Sequence, residues 1–239
     1  MKVVIGEPRG GLGDALLYST LPELFAYDGH EVWVNAHPRN QEVARLLYSD
    51  NPYITGMTAE APTAGCVHDR EFFPKARLHR SPIGFIEALH GFDESSERPK
   101  IYYTPKERPD VADLVFADPR SISQQFPAEV FHAFSDRLFE REEITVLESR
   151  NSGVNGAEAL ARSRRYIVKD IYEYIDIIAS CRAFLSTESG GHSLAASVRY
   201  DGIYALCTTA HMNSRFFVYP GVNYTVVDGL SPTYLAVDP

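Results

Sequence analysis

Cysteine is scarce in this sequence, and long apolar runs are missing from it. Only three of the 239 residues are cysteine. Cys66, Cys181 and Cys207 have neither the even number of a disulfide framework nor the spacing of a zinc site. No apolar run reaches the roughly 18 residues of a membrane span, and the N-terminus lacks the basic and then apolar order of a signal peptide. We therefore expect a cytoplasmic protein without an integral membrane segment, in which the cysteines are small core residues.

Positive charge is also in short supply. The net charge is −9, which divides into −4 for residues 1 to 110 and −5 for residues 111 to 239. Neither half has the character of the basic modules that bind nucleic acids. The hydrophobic share of 44% and the charged share of 23% are ordinary for a globular protein, and the length can hold two modest α/β cores.

Short apolar segments alternate with helical patterns along most of the chain. Leu17, Leu21 and Leu24 recur at the spacing of one helix, and residues 31 to 35 after them predict a strand. Residues 58 to 110 are irregular and give no assignment. Further strands are predicted at 3–5, 53–56, 113–117, 144–148, 165–168, 182–186, 202–207 and 224–228, with helices at 41–49, 127–141, 156–163, 171–180 and 191–198.

This alternation is typical of βα units built around a parallel sheet. The pattern restarts after a proline-containing stretch at residues 97 to 110, which indicates a second domain. The predicted fold class is therefore α/β, with two Rossmann-like domains that face a cleft, at residues 1–110 and 111–239.

The first glycine-rich turn, GEPRGGLGDALL at residues 6 to 17, joins a predicted strand to a predicted helix. Backbone N–H groups at the start of a helix attract anions, and Gly10, Gly11 and Gly13 permit a close approach that a side chain would block. The dinucleotide-binding pattern needs a third glycine, but Leu16 stands in its place. A dinucleotide cofactor is therefore not favoured here.

Asp14 gives this turn a different character. A carboxylate at the start of a helix is favourable as an N-cap, yet it would repel a pyrophosphate bound there. If the phosphate binds elsewhere, Asp14 becomes a candidate general base. The residues alone leave both roles open.

A second glycine-rich turn, STESGGHSLAAS at residues 186 to 197, follows an apolar strand and opens a helix of small residues. The N–H groups of Ser189, Gly190 and Gly191 are candidates to hold a diphosphate at the start of that helix. Glu188 is a candidate acceptor for the hydroxyls of a ribose. The alternative is a turn in which serine and glycine serve backbone geometry alone.

Together these segments resemble a known family. The stretch GLGDAL at residues 11 to 16, followed by Thr20-Leu21-Pro22, is similar to the N-terminal motif of the lipopolysaccharide heptosyltransferases, glycosyltransferase family 9, which have the two-domain GT-B fold. Residues 118–120 with 126–127, and residues 176–196, resemble the segments of that family's second domain. The similarity covers about half of the chain, in the family's order.

The resemblance implies an inverting, metal-independent glycosyltransferase that needs no cofactor and moves a hexosyl, pentosyl or heptosyl group from a nucleotide sugar to a hydroxyl acceptor. Asp14 would be the catalytic base, with Gly11 and Gly13 on the acceptor side. The donor nucleotide would bind the second domain, at Arg120, Glu188, Ser189, Gly190, Gly191 and His192.

The sequence departs from the family at two places. Where the family has a lysine for the donor phosphate, this chain has Gln124 and Gln125, so Arg120 or the arginines at 162, 164 and 165 would have to supply the cation. The run ARSRR also fits a solvated face. In the second turn His192 lies one residue earlier than the family's histidine, so it either caps the helix or contacts the donor phosphate.

The acceptor is the least defined part of the prediction. Residues 70 to 82, REFFPKARLHRSP, place Arg77 and Arg80 among aromatic side chains, which suits the phosphates of a glycolipid or of DNA and also fits an exposed loop. Candidate acceptors are a glycan, a glycolipid or a hydroxymethylated base in phage DNA. Two alternatives remain, a noncatalytic nucleotide- or sugar-binding module and a dinucleotide-binding reductase or epimerase, and the oligomeric state is not predicted.

Overall fold

Two parallel β-sheets and eight helices form the described part of the computed structural model. That part comprises residues 1–6, 11–35, 41–65, 78–119, 126–140, 142–149, 163–214 and 218–227. The chain divides into two compact units, Met1–Thr104 with Asn213–Pro220, and Pro105–Met212 with Gly221–Pro239. None of the helices in these ranges is both long enough and apolar enough to cross a membrane.

The first unit contains a four-stranded parallel sheet in the order β3-β2-β1-β4. Its apolar strand β2 pairs with β1 along its whole length, from Lys2 opposite Glu31 to Gly6 opposite Asn35. The strands are β1 (Lys2–Gly6), β2 (Glu31–Asn35), β3 (Gly56–Thr58) and β4 (Ala64–Gly65), and the helices are α1 (Leu12–Leu17), α2 (Leu21–Tyr27), α3 (Gln41–Tyr48) and α4 (Pro82–Leu89).

The second unit contains a six-stranded parallel sheet in the order β10-β9-β8-β5-β6-β7. A short 3₁₀ turn at Pro109–Val111 precedes it. The strands are β5 (Val115–Asp118), β6 (Ile144–Ser149), β7 (Arg164–Val168), β8 (Ala183–Thr187), β9 (Ile203–Thr208) and β10 (Val222–Val227), and the helices are α5 (Ala128–Leu138), α6 (Ile171–Ser180), α7 (Gly190–Val198) and α8 (Thr209–Ser214). The division between the units falls within α8, between Met212 and Asn213.

The two parallel sheets confirm the predicted α/β fold class, and most strands fall within two residues of their predicted positions. One helix was wrong. The leucines at 17, 21 and 24 belong to α1 and α2, which are separated at Tyr18-Ser19-Thr20. The break follows from Pro22. In a continuous helix the N–H of residue 22 would donate to the carbonyl of Tyr18, but proline has no N–H. The carbonyl of Tyr18 instead accepts from Leu21 N–H at 3.1 Å.

The third strand also differs from its prediction, because it begins at Gly56 and not at Tyr53. Asn51 sets the difference: its side-chain Oδ1 accepts from Tyr53 N–H at 2.9 Å, and its carbonyl accepts from Ile54 N–H at 3.2 Å. An asparagine turn of this kind removes the residues from the strand ladder. The helix predicted at 156–163 lies outside the described residues except for Ser163, which precedes β7.

Both faces of the second sheet are covered, which explains the nearly continuous apolar strands. Side chains alternate across a strand, so Val115 and Ala117 lie on one face of β5, packed with Phe131 and Phe134 of α5. The opposite face carries Phe184 of β8, whose ring meets Tyr174 of α6 edge-on at a centroid distance of 6.2 Å. The carboxyl ends of β5 and β8 are thereby fixed between two layers of helices.

The cysteines behave as predicted where they are described. Cys181 and Cys207 are buried and free, and burial raises the pKa of the Cys181 thiol to about 11. Cys66 lies outside the described residues.

Arg199, directly after α7, ties that helix to the connection between α6 and β8. Its guanidinium donates to the carbonyl oxygens of Ile178 at 3.0 Å, Cys181 at 2.8 Å and Arg182 at 3.1 Å, and Nε donates to Asp201 O at 2.7 Å. The side chain is 11% exposed. The planar guanidinium of arginine can donate to four carbonyls that lie in different directions, whereas the compact ammonium of lysine cannot reach all of them.

We predict that Arg199→Lys lowers the free energy of unfolding by about 2 kcal/mol, because an ammonium leaves several of these carbonyls without a donor. Urea denaturation measures the change. Arg182→Lys is the matched control: Arg182 is 45% exposed and pairs with Glu142 at the surface, so its change stays below about 0.5 kcal/mol. Equal losses in the two variants would contradict this account.

Candidate functional site

Each sheet has a point where the direction of strand addition reverses. In the second sheet, β5 is flanked by β6 on one side and by β8 on the other. In open α/β sheets, ligands bind outside the carboxyl ends of the strands at such a point. Asp118 ends β5, and the second glycine-rich turn leaves the end of β8, so this turn occupies the position that strand order alone would select for a ligand.

The first sheet repeats this arrangement within its own unit. Its central strand β1 lies between β2 and β4, with Ile5 opposite Ala64 and Gly6 opposite Gly65. The first glycine-rich turn follows Gly6 and leads to α1. The chain therefore has two candidate sites, one at the reversal point of each sheet.

Asp14 is not the N-cap that the sequence allowed. The helix α1 begins at Leu12, its N-cap is Gly11 with an extended backbone, and Asp14 is the third helical residue. Asp14 Oδ2 lies 2.8 Å from the point that a Cβ on Gly11 would occupy. The carboxylate folds back over Gly11, so any larger residue there would displace it. Gly13 is the second residue of the same helix.

The second turn is organised by a capping box. The Ser189 side chain accepts from the backbone of the first turn of α7, including Gly191 N–H at 3.2 Å. In return His192 Nδ1 accepts from Ser189 N–H at 2.8 Å. His192 is completely buried. Of the two roles that the sequence left open for His192, contact with the helix start is the one present in the structure, and contact with a donor phosphate stays a prediction.

This box determines which backbone groups remain for a ligand. The first N–H groups of a helix have no acceptor inside it, and here those of Ser189, Gly191 and His192 are taken up by the box. Among the described residues, the N–H of Gly190 has no hydrogen-bond acceptor. Gly190 is also half-buried and not fully covered. It is the natural contact for an anion at this turn.

Glu188 directly follows β8, so its carboxylate lies near the end of that strand. Glu188 is 3% exposed, and its N–H donates to Leu206 O at 2.9 Å, which continues the pairing of β8 with β9. Burial, with a smaller contribution from Glu188, raises the pKa of the Cys207 thiol to about 12. The proposed contact of Glu188 with a ribose stays a prediction.

Sequence reasoning missed a pair of residues at this point. Asp118 accepts a hydrogen bond from the hydroxyl of Tyr174 at 2.8 Å, and both side chains are buried. Asp118 entered the prediction only as part of the family resemblance, although a carboxylate at the end of a buried strand is itself a signal. Nothing in the sequence connects it with Tyr174.

The basic residues predicted for ligands lie in other surroundings or outside the described ranges. Arg77, Arg120 and Arg162 belong to the undescribed part. Arg80 is 68% exposed at its side chain and pairs with Glu97, while its N–H donates to Glu94 Oε2 at 2.8 Å.

Arg164 and Arg165 belong to the edge strand β7 and are more than half exposed, with Glu143 and Glu148 as their ion-pair partners at 2.6 and 3.8 Å. Two strand spacings, about 10 Å, separate β7 from β5. Their position at the sheet edge favours the solvated face over a donor contact. No group of three or more His, Cys, Asp or Glu side chains in the described ranges could hold a metal ion.

No protein-family model matches this sequence, and no curated protein matches it. Solved structures do match. TibC, the bacterial iron-containing dodecameric glycosyltransferase from enterotoxigenic E. coli H10407, matches with a TM-score of 0.70 and 16% identity over 98% of this chain. The chain spans 65% of the length of TibC.

Two further structures match over most of both chains. The family 9 glycosyl transferase from Veillonella parvula DSM 2008 gives a TM-score of 0.65 and 12% identity over 95% of this chain and 86% of its own. The E. coli heptosyltransferase WaaC, solved with ADP, gives 0.61 and 11% identity over 98% and 96%. At these identities the likeness is one of fold, and this chain has the GT-B fold of glycosyltransferase family 9, as the motifs predicted.

Proposed function

We propose that the protein is a glycosyltransferase that moves a sugar from a nucleotide-sugar donor to a hydroxyl acceptor with inversion and without a metal. The observation that carries this proposal is the start of α7, which lies at the reversal point of the sheet and where the N–H of Gly190 has no acceptor among the described residues. WaaC with ADP and TibC with ADP-D-beta-D-heptose support it, because nucleotide diphosphates and their sugars bind proteins of this fold.

On the donor side, the start of α7 provides the positive end of a helix dipole together with a free backbone donor. A leaving diphosphate gathers negative charge in the transition state, and fixed donors of this kind stabilise it. Ser189 and Gly191 shape the turn, and Gly190 contacts the phosphate. Arg120, two residues beyond the end of β5, supplies the cation in this proposal.

On the acceptor side, Asp14 removes the proton from the attacking hydroxyl. Inversion in a single displacement requires a base on the face of the sugar opposite to the leaving group. Asp14 is half-buried in the first turn of α1, and its carboxylate lies over Gly11. The acceptor is a glycan, a glycolipid or a modified DNA base. Arg77 and Arg80 are the candidates to bind any phosphates that it carries.

The first experiment is a thermal-shift panel with nucleoside diphosphates, nucleotide sugars and NAD(P), since a ligand of the native state raises the melting temperature. A shift with one nucleoside diphosphate and its sugar supports the proposal and identifies the donor. A shift with NAD(P) alone would favour a reductase or epimerase. Donor binding without any transfer would favour a noncatalytic module.

Metal independence is testable once a donor is known. TibC contains iron, whereas the described residues of this chain include no group of three or more His, Cys, Asp or Glu side chains that could hold a metal ion, and we assign no step to a metal. We expect the rate of donor consumption to be unchanged in excess EDTA. A loss of activity that a divalent metal restores would overturn this part of the proposal.

We predict that Asp14→Asn leaves donor affinity nearly unchanged while transfer falls by about 100-fold or more, the usual effect of losing a general base. Donor affinity is measured by calorimetry, and transfer by release of the nucleoside diphosphate. Asp110→Asn is a control, because Asp110 is an exposed carboxylate paired with Arg108 and outside the proposed site. Full activity in Asp14→Asn would remove Asp14 from the mechanism.

We predict that Gly190→Pro lowers the affinity for a nucleoside diphosphate by about tenfold or more, the value of one hydrogen bond to a charged group. Proline is well accepted at the first position of a helix, and the extended backbone of Ser189 (φ −157°, ψ 179°) suits the residue before it. The fold should therefore persist, as the melting temperature will verify.

Gly190→Ala is the matched control, because alanine adds a methyl group but keeps the N–H. We expect its affinity to remain within a few-fold of the wild type. Gly190→Val tests the bulk separately and should block binding, since a larger side chain denies the phosphate its approach. Unchanged affinity in the proline variant would place the phosphate elsewhere.

A further inference from the structure

Three elements of the second unit meet beneath the start of α7. Asp118 ends β5 and lies opposite Ser186 of β8 in the register of the sheet. Paired residues of adjacent strands project to the same face. That face is the one covered by α6, as the contact of Tyr174 with Phe184 demonstrates. Asp118 therefore points into the layer between the sheet and α6.

Tyr174 is held at both ends in that layer. Its ring packs edge-on against Phe184 at 6.2 Å, and its hydroxyl donates to Asp118 Oδ2 at 2.8 Å. Tyr174 is 8% exposed. A buried tyrosine with a charged acceptor has little freedom to move, because leaving the carboxylate would cost both partners a hydrogen bond.

The same hydroxyl determines what α7 can carry at its second residue. A Cβ on Gly191 would lie 2.6 Å from Tyr174 Oη, whereas the next nearest atoms, Ser189 Oγ and Phe184 Cζ, would be at ordinary distances of 3.5 and 3.7 Å. Gly191 is itself buried. The absence of a side chain at 191 is therefore required by the protein interior, in contrast to Gly190, which is half-exposed.

We propose that Tyr174 is a positioning residue for the donor turn. Its hydroxyl, fixed by Asp118, fills the space over Gly191 and so sets how closely the start of α7 approaches β5. The N–H of Gly190, one residue earlier, takes its position from this contact. The inference rests on the proposed function, in which that N–H binds the donor phosphate.

Four proteins test the proposal: the wild type, Tyr174→Phe, Gly191→Ala and the double variant. Gly191→Ala forces a methyl group against the fixed hydroxyl, so we expect the melting temperature to fall by about 4 °C and the affinity for the nucleoside diphosphate found in the panel to fall by about tenfold. Tyr174→Phe alone raises the KM for the donor by about threefold, while the KM for the acceptor is unchanged. A residue with only a structural role would not separate the two KM values.

The double variant gives the decisive result. Phenylalanine removes the one atom that lies within 3.4 Å of the added methyl group, so we expect Gly191→Ala in the Tyr174→Phe background to recover donor affinity to within about threefold of the wild type. If the methyl group at 191 instead blocks the ligand directly, the double variant stays as weak as Gly191→Ala. That result would overturn the proposal.

The outcomes also separate this inference from the function on which it rests. Additive melting temperatures across the four proteins would overturn the contact between residues 174 and 191, whatever the wild type binds. Coupled melting temperatures with equal donor affinity in all four would overturn the positioning role alone. A wild type that binds no nucleotide or nucleotide sugar would overturn the proposed function and the positioning role together.

Discussion

The backbone N–H groups at the start of α7 have no acceptor inside the helix and must be satisfied in another way. Most of the local chemistry follows from this requirement. Ser189 and His192 satisfy these donors reciprocally. The turn follows the carboxyl end of the buried strand β8. Within the described part of the chain, the N–H of Gly190 is the donor left without an acceptor. A site that offers one defined N–H and a helix dipole can orient a phosphate, whereas a wholly unsatisfied turn would be costly in the free protein.

The two glycine-rich turns begin their helices with different caps, and the proposed roles of the turns follow from this difference. At α1 the N-cap is Gly11, which has no side chain to accept, and the acidic residue Asp14 lies in the first helical turn instead. A carboxylate there is stabilised by the helix dipole and excludes a second anion. At α7 the cap is a serine–histidine pair that contains no carboxylate, which leaves the dipole available to a ligand. In the proposed function, this difference in charge places the acceptor at the first turn and the donor phosphate at the second.

The parts of this structure that sequence could predict are those governed by local patterns. Buried parallel strands need unbroken apolar runs, so residues such as those of β8 and β9 were recognisable, and Asp170 before α6 is an ordinary cap, with its side chain accepting from Glu173 N–H at 2.8 Å. The predicted boundaries of helices and strands were wrong where one residue interrupted the local pattern. Pro22 divided one helix into two, and Asn51 moved the start of β3 by taking two N–H groups into a turn.

The site was predictable only as far as its glycines. Histidine at the third position of α7 is an unusual partner for a capping serine, since glutamate or glutamine normally fills that place. The sequence alone therefore could not identify its capping role. Tyr174 and Asp118 are 56 residues apart, and their contact depends on the strand order that brings β5 beside β8. Gly191 illustrates the limit well: its sequence context indicated a ligand, but its structural neighbour is a tyrosine hydroxyl.

Strand order also bears on the choice of the cation in the proposed function. Arg164 and Arg165 lie on β7, at the opposite edge from β10 and beyond β6, and each has a glutamate partner. Arg162 precedes that same edge strand by two residues. Arg120 follows the end of β5 by two residues, and β5 is the direct neighbour of β8. In the proposed function Arg120 is therefore the preferred candidate for the cation, because only two residues of chain separate it from the end of a strand that adjoins β8.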